Sequence, residues 1–176
     1  CGDAPGDSLP RQSVAFSKEV TQGLLGDCWL LSAMAVMCTR PDLLDQIFMD
    51  SSYVNPCGAY CFKLFRRGMD QQVVVDDNLP VKQMGFAAQP VFARARTGPQ
   101  GEVVLWPMLL EKAFAKLYGS YGAIEAGLTH EALMDMTGGL GDAIIVDGPA
   151  GVPANLWPRL VQCKRSGDLL AAGSRG

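Results

Sequence analysis

One helix constrains this chain more than any other feature. Cys28 to Cys38 is expected to be helical, and its apolar residues (Trp29, Leu30, Leu31, Ala33, Met34, Ala35, Val36, Met37) run all the way round. A helix that is hydrophobic on every side must be buried on most sides. The rest of the chain therefore has to wrap it. At 176 residues the length suits one domain, or two very small ones, and roughly 70% of the unfolded surface can be buried at that size. Hydrophobic residues are 48% and charged residues 19%, a balance that excludes disorder. The apolar run is far shorter than the ~20 residues of a membrane-spanning helix. Cys1 to Val20 holds no apolar stretch of signal-peptide length.

Around that helix the sequence organises itself by period. Cys1 to Thr21 reads as an irregular lead-in, and Gln22 to Gly26 as a tight turn region. Pro41 ends the first helix, because a proline disfavours helix in the residue before it. Asp42 is expected to cap a second helix, Leu43 to Met49. Tyr60 to Phe65 and Gln71 to Val75 alternate like strands and form a hairpin across the turn Arg66 to Asp70. A third short strand is expected at Pro90 to Ala93. Pro107 opens a helix to Tyr118. Its apolar face is Trp106, Leu109, Leu110, Ala113, Phe114 and Leu117, with Glu111, Lys112 and Lys116 off it. Thr129 caps a helix over His130 to Met136, closed by Gly138-Gly139. Asn155 to Lys164 reads as the last helix.

Charge and rare residues narrow the chemistry. Fifteen basic and 18 acidic residues give a net charge of −3 with no basic block, so nothing marks a nucleic-acid partner. Six cysteines (Cys1, Cys28, Cys38, Cys57, Cys61, Cys163) without a secretion signal are expected as reduced thiols. Cys57 and Cys61 lack a second pair or histidine cluster to complete a zinc site. The chain has one histidine, His130. It excludes a three-His metal site and is the only base available to a Cys/His pair. At the first turn of a helix, however, it reads as solvent-facing.

The segment richest in chemistry precedes the buried helix. A cysteine at a helix N-terminus feels the positive end of the dipole, which favours the nucleophilic thiolate. The glycines before Cys28 let the backbone turn sharply and approach a substrate closely. The Gln22 amide and the Cys28 N–H are candidate donors to the oxyanion of a tetrahedral intermediate. Trp29 is expected to pack under the nucleophile. Taken alone, Cys28 also fits a small buried core residue.

Four motifs in order go further. They are Gln22-Gly23-x-x-Gly26-Asp27-Cys28-Trp29-Leu30-Leu31, then Val73-Val74-Val75-Asp76-Asp77-x-Leu79-Pro80. The third is Leu105-Trp106-x-x-Leu109-Leu110-Glu111-Lys112-Ala113-Phe114-Ala115-Lys116-Leu117-x-Gly119-Ser120-Tyr121. The fourth is Thr129-x-Glu131-Ala132-Leu133-x-Asp135-Met136-Thr137-Gly138-Gly139. Together they resemble the calpain family of cytosolic cysteine proteases, with papain-type architecture. The resemblance covers roughly Val20 to Ala172.

The resemblance implies an α+β fold: a papain-like first lobe with a central buried helix headed by Cys28, surrounding helices and a small antiparallel sheet. It implies a lead-in over residues 1–21 and the first lobe over residues 22–176. The second lobe, which carries the histidine and asparagine of the triad, would lie elsewhere in a larger parent. The start at Cys1 and the ending soon after Leu169-Leu170-Ala171-Ala172 fit that expectation. By position Cys28 becomes the nucleophile and Gln22 the oxyanion donor. Gly26 and Gly127 become substrate-binding positions, with Ala126-Gly127 where the family usually has two glycines. The extra methyl would narrow that wall of the cleft. The implied partners are an extended protein or peptide substrate and the second lobe, and the implied location is cytoplasmic. A parent with a degenerate second lobe would instead be a regulatory or binding protein. Asp76 and Asp77 are expected to cap turns rather than do acid–base work.

Calcium is the implied cofactor, through Glu19 and backbone carbonyls. The pattern departs at Val104, where a second carboxylate is expected, at Gln12 to Val14, and at Ser17, where some members carry an arginine. Glu102 is out of register with the missing ligand.

Overall fold

The computed structural model describes residues 20–23, 25–49, 56–84, 87–95, 105–146 and 151–173. Its first helix, α1 (Cys28–Met37), is buried as its composition demands. Leu30, Ala33, Met34 and Met37 are fully enclosed, and Trp29 and Leu31 nearly so. Thr39 closes it by donating its hydroxyl to the Val36 carbonyl at 2.7 Å. The helix α2 (Pro41–Ile47) follows at once. It starts earlier than Asp42 suggests: Pro41, whose fixed φ suits a first turn, both ends α1 and opens α2. Asp42 does not cap it. Its carboxylate pairs instead with the Arg40 guanidinium at 2.7 Å.

The hairpin β2 (Ala59–Arg66) and β3 (Met69–Asp76) is longer and tighter than the alternation indicates. Its register runs from Ala59 opposite Asp76 to Arg66 opposite Met69. The turn is only Arg67-Gly68, both with positive φ (54° and 77°), as a two-residue turn matched to strand twist requires. Tyr60, Phe62 and Leu64 of β2 and Val73 and Val75 of β3 face the core, while Val74 faces out. Two more pairs were hidden in the sequence. The strands β4 (Val81–Met84) and β5 (Ala87–Pro90) form a hairpin in place of the single strand expected at Pro90 to Ala93. A short β6 (Arg94–Ala95) pairs antiparallel with β1 (Val20–Thr21), so the end of the lead-in is extended rather than irregular.

The other side of α1 is helical. The third helix, α3 (Trp106–Tyr118), begins with Pro107 in its first turn and ends at Gly119, whose φ is 105°. Leu110, Ala113 and Phe114 are fully buried. The next helix, α4 (Thr129–Thr137), closes at Gly138 in the left-handed region. Thr129 makes no capping bond there; Leu128 holds the cap position. Tyr118 and Arg66 both bind Asp135, the hydroxyl at 2.7 Å, so α3, α4 and β2 meet on one carboxylate. The last helix, α5 (Leu156–Ser166), buries none of its residues, and Trp157 is 74% exposed. It is tethered by Arg40 to the Gly167 carbonyl and by Arg159 to Asp142. The fold is α+β. Among the described residues no helix is long and apolar enough to cross a membrane, and Cys28, Cys38 and Cys163 are free thiols.

Candidate active site

Cys28 is the first residue of α1 and is exposed, although Asp27 before it and Trp29 after it are buried. That contrast follows from helix geometry, since successive residues point about 100° apart. Trp29 fixes the helix from below. Its Nε1–H donates to the Ile124 carbonyl at 2.9 Å, and its ring packs edge-on against Phe114 and Tyr118. The expectation that Trp29 fixes the helix agrees with its burial and these contacts.

The loop before Cys28 is pinned at several points. Gln22 is exposed, and its Nε2 donates to the Leu25 carbonyl at 2.7 Å. One amide N–H is thereby used; an amide nitrogen carries two. Gly23 works differently from the sharp turn its type suggests. It lies where a Cβ would meet the Phe92 carbonyl oxygen at 2.0 Å, so its role is close packing against the chain's own backbone. Neither Gly23 nor Gly26 has a positive φ. The Gly26 carbonyl accepts from Ala126 N–H at 3.0 Å, which draws residues 124–127 alongside the loop. Gly127 is exposed and sits on the Trp29 indole, where a Cβ would come within 2.5 Å of the ring. Ala126 carries the strain at this corner, with φ at 64°. Two hydrogen bonds and one ring contact thus bring Gly127, Gly26 and the α1 N-terminus into one surface.

His130 stands apart from this arrangement. It is half-buried in the first turn of α4, with its ring edge toward Gly141. Among the described residues no hydrogen bond joins it to Cys28. Glu19 lies outside the described residues, as do Gln12 to Val14, Ser17, Glu102 and Val104. Among the described residues no group of three or more His, Cys, Asp or Glu could hold a metal. Asp76 behaves as a turn residue. Its Oδ1 accepts the Asn78 N–H at 2.8 Å and the Lys112 ammonium at 2.7 Å, and these hold its carboxyl down to about 2.

Sequence reasoning missed one member of the site's support. Glu111, read as lying off the apolar face of α3, is 1% exposed and faces Asp27, itself 0% exposed. Its helical neighbours four residues away are Pro107 and Ala115, both buried. That flanking was the available signal. Burial raises the Glu111 carboxyl, to about 9, and the hydrogen bond and charge of Asp27 add to it, while the Ala93 N–H pulls the other way.

A family model described as calpain family cysteine protease matches residues 10–176. The chain is 42% identical over 162 residues to the calpain-type cysteine protease DEK1 of Zea mays, covering 90% of this chain and 7% of that protein. It is 37% identical over 153 residues to calpain clp-1 of Caenorhabditis elegans, covering 86% of this chain and 18% of that one. To the calpain-2 catalytic subunit of Rattus norvegicus it is 34% identical over 158 residues, 89% and 21% of the two chains. The chain therefore spans about a fifth or less of the length of these relatives.

Proposed function

The chain belongs to the calpain family of cysteine proteases, and on that premise we propose that it is the cysteine-bearing lobe of a parent endopeptidase, with Cys28 as the nucleophile. The observation that carries this is the exposed Cys28 at the head of an otherwise buried helix, beside a pinned loop. Cys28 Sγ, its proton passed to the base, attacks the peptide carbonyl; the C–N bond breaks, the amine leaves with that proton, and water then hydrolyses the thioester and restores the thiol. The second N–H of the Gln22 amide and the Cys28 backbone N–H receive the oxyanion. Gly26 and the 124–127 segment form one wall for an extended substrate, and Ala126 narrows that wall where a second glycine is usual.

The base is supplied from outside this chain, by a histidine that an asparagine orients in a second lobe of the parent. His130 does not take that part. Extended loops and disordered linkers of proteins are the substrates such a cleft accepts, and a cytoplasmic parent suits reduced thiols. For calcium, Glu19 is the one carboxylate ligand the resemblance supplies, and Val104 offers none. That set is short of the six to eight oxygen ligands calcium takes. Calorimetry of calcium binding, wild type against Glu19→Gln, tests this.

The functional test is hydrolysis of an unfolded protein substrate by the parent. Cys28→Ser is expected to lower kcat by about 10⁴ or more, and Gln22→Ala by roughly 10²–10³. Undiminished hydrolysis by the Cys28→Ser variant contradicts the assignment. A parent whose next lobe lacks a histidine followed by an asparagine would be a regulatory or binding protein instead.

A further inference from the structure

Two buried acids, Asp27 and Glu111, lie outside the roles given to Cys28 and Gln22. Asp27 stands at the N-cap of α1, where an aspartate ordinarily accepts an N–H of the first turn. It makes no such bond, although its backbone carbonyl accepts from Leu30 and Leu31 N–H at 2.9 and 3.2 Å. Its carboxylate is fully buried, as is that of Glu111 beside it. Apart from Glu111, no group among the described residues bonds to either Asp27 oxygen. Two neighbouring carboxylates cannot both stay charged in a dry interior. A hydrogen bond between them requires a proton on one.

We propose that Asp27 and Glu111 share a single proton, and that this acid pair holds the Cys28 loop in register, with Glu111 as a positioning residue. The proposal rests on Cys28 being the nucleophile. The Glu111 hydroxyl donates to the Asp27 carboxylate, while its two oxygens lie 3.1 and 3.0 Å from the Ala93 N–H. Asp27 leads directly into Cys28. Ala93 follows Phe92, whose backbone lies against Gly23, next to Gln22. One proton thus ties both the Cys28 end and the Gln22 end of the loop to α3.

When that proton leaves to water, two like charges face each other, with the Ala93 N–H bound to Glu111 alone, and the loop loosens. The other groups around the pair do not neutralise it. Tyr121 faces Glu111 with a hydroxyl that burial, Glu111 and Asp76 keep protonated well above the usual tyrosine range. Lys112, next on α3, is directed outward to Asp76 and Asn78, and Glu125 lies against Gly26. A small cleft lined by Leu79, Phe92, Met108 and Tyr121 also touches Glu111.

The test compares this chain with its Glu111→Gln variant. Glutamine keeps the shape, accepts from Ala93 and donates to Asp27, but carries no titrating proton. Infrared spectra at pH 7 are expected to show a protonated-carboxyl band in the wild type that is absent in the variant. The midpoint of thermal unfolding is expected to fall from pH 5 to pH 9 in the wild type and to stay nearly flat in the variant. Cys28 alkylation by iodoacetamide, read by mass spectrometry on its own peptide, should differ between the two at pH 10 by about fivefold more than at pH 7. Matching pH profiles overturn the proposal. If the variant does not fold, the wild-type infrared spectrum decides alone, and the lack of a protonated carboxyl at pH 7 overturns it. None of these readings needs peptidase activity. An inactive parent leaves the acid pair standing, and a failed acid pair leaves the Cys28 assignment standing.

Discussion

Glu111 and Lys112 are neighbours on α3, yet they occupy opposite electrostatic regimes. Glu111 points into the molecule at Asp27, and its carboxyl is raised. Lys112 points outward and binds Asp76 Oδ1 and the Asn78 carbonyl, each at 2.7 Å, and the carboxyl it pairs with is lowered. One helical step turns the side chain by about 100°, and that turn reverses the sign. In water, a cation and a backbone N–H favour the charged acid. In the core, desolvation and a second acid favour the neutral one. The outer pair clips the end of β3 to α3; the inner pair sets the loop that presents Cys28.

The two pairs also respond to pH in opposite directions. Between the ordinary glutamate value of 4.5 and the raised value of Glu111, the folded chain holds a proton that the unfolded chain has lost. Stability from this group therefore declines as pH rises through that window. Asp76 contributes above the ordinary aspartate value of 3.8 and loses its contribution as pH falls toward about 2. Its exposure lets solvent and salt weaken the effect.

The inner pair is where substitution costs most. Glu111→Ala leaves Asp27 buried without its partner and opens a cavity. Urea unfolding at pH 7 should show a loss of about 3–5 kcal/mol, whereas Glu111→Gln should lose less than about 1 kcal/mol because it keeps both hydrogen bonds. Equal losses would erase the distinction between the two regimes. Next is Gly127→Ala, whose methyl must push against the Trp29 ring. A loss of about 1–3 kcal/mol is expected, with a shifted tryptophan emission. The outer pair should matter less: Lys112→Ala is expected to lower the unfolding midpoint by about 2 °C or less, and less still in high salt. The smallest effect is a gain. Ala126→Gly relieves a left-handed alanine and should stabilise by about 0.5 kcal/mol, read in the same urea titration.

Much of this was legible in the sequence because burial leaves a periodic mark. An all-round apolar run had to become the buried α1, and the alternation of Tyr60, Phe62 and Leu64 had to become β2. Where a segment is exposed, the mark fades. Val81, Lys82 and Gln83 of β4 are all exposed, so these three residues carry no inward apolar mark to read. The β2–β3 turn was drawn too long because Arg67, not asparagine or glycine, takes its first left-handed position. Glu111 was misplaced because a charged side chain reads as solvated unless its partner is known, and Asp27 is 84 residues away. At the candidate site the resemblance named Cys28, Gln22, Gly26 and Gly127. It did not show that Gly23 is required by the backbone of Phe92, or that Trp29 and Ala126 fasten the 124–127 segment beside α1.

The central claim is that Cys28 is a nucleophile whose base comes from another lobe. The most direct measurement is labelling of Cys28 by a peptidyl electrophile, compared between this chain and its parent and mapped by mass spectrometry. Rapid, single-site labelling of Cys28 is expected in the parent and little or none in this chain alone. Equal labelling of the isolated chain, lost on His130→Ala, would contradict it.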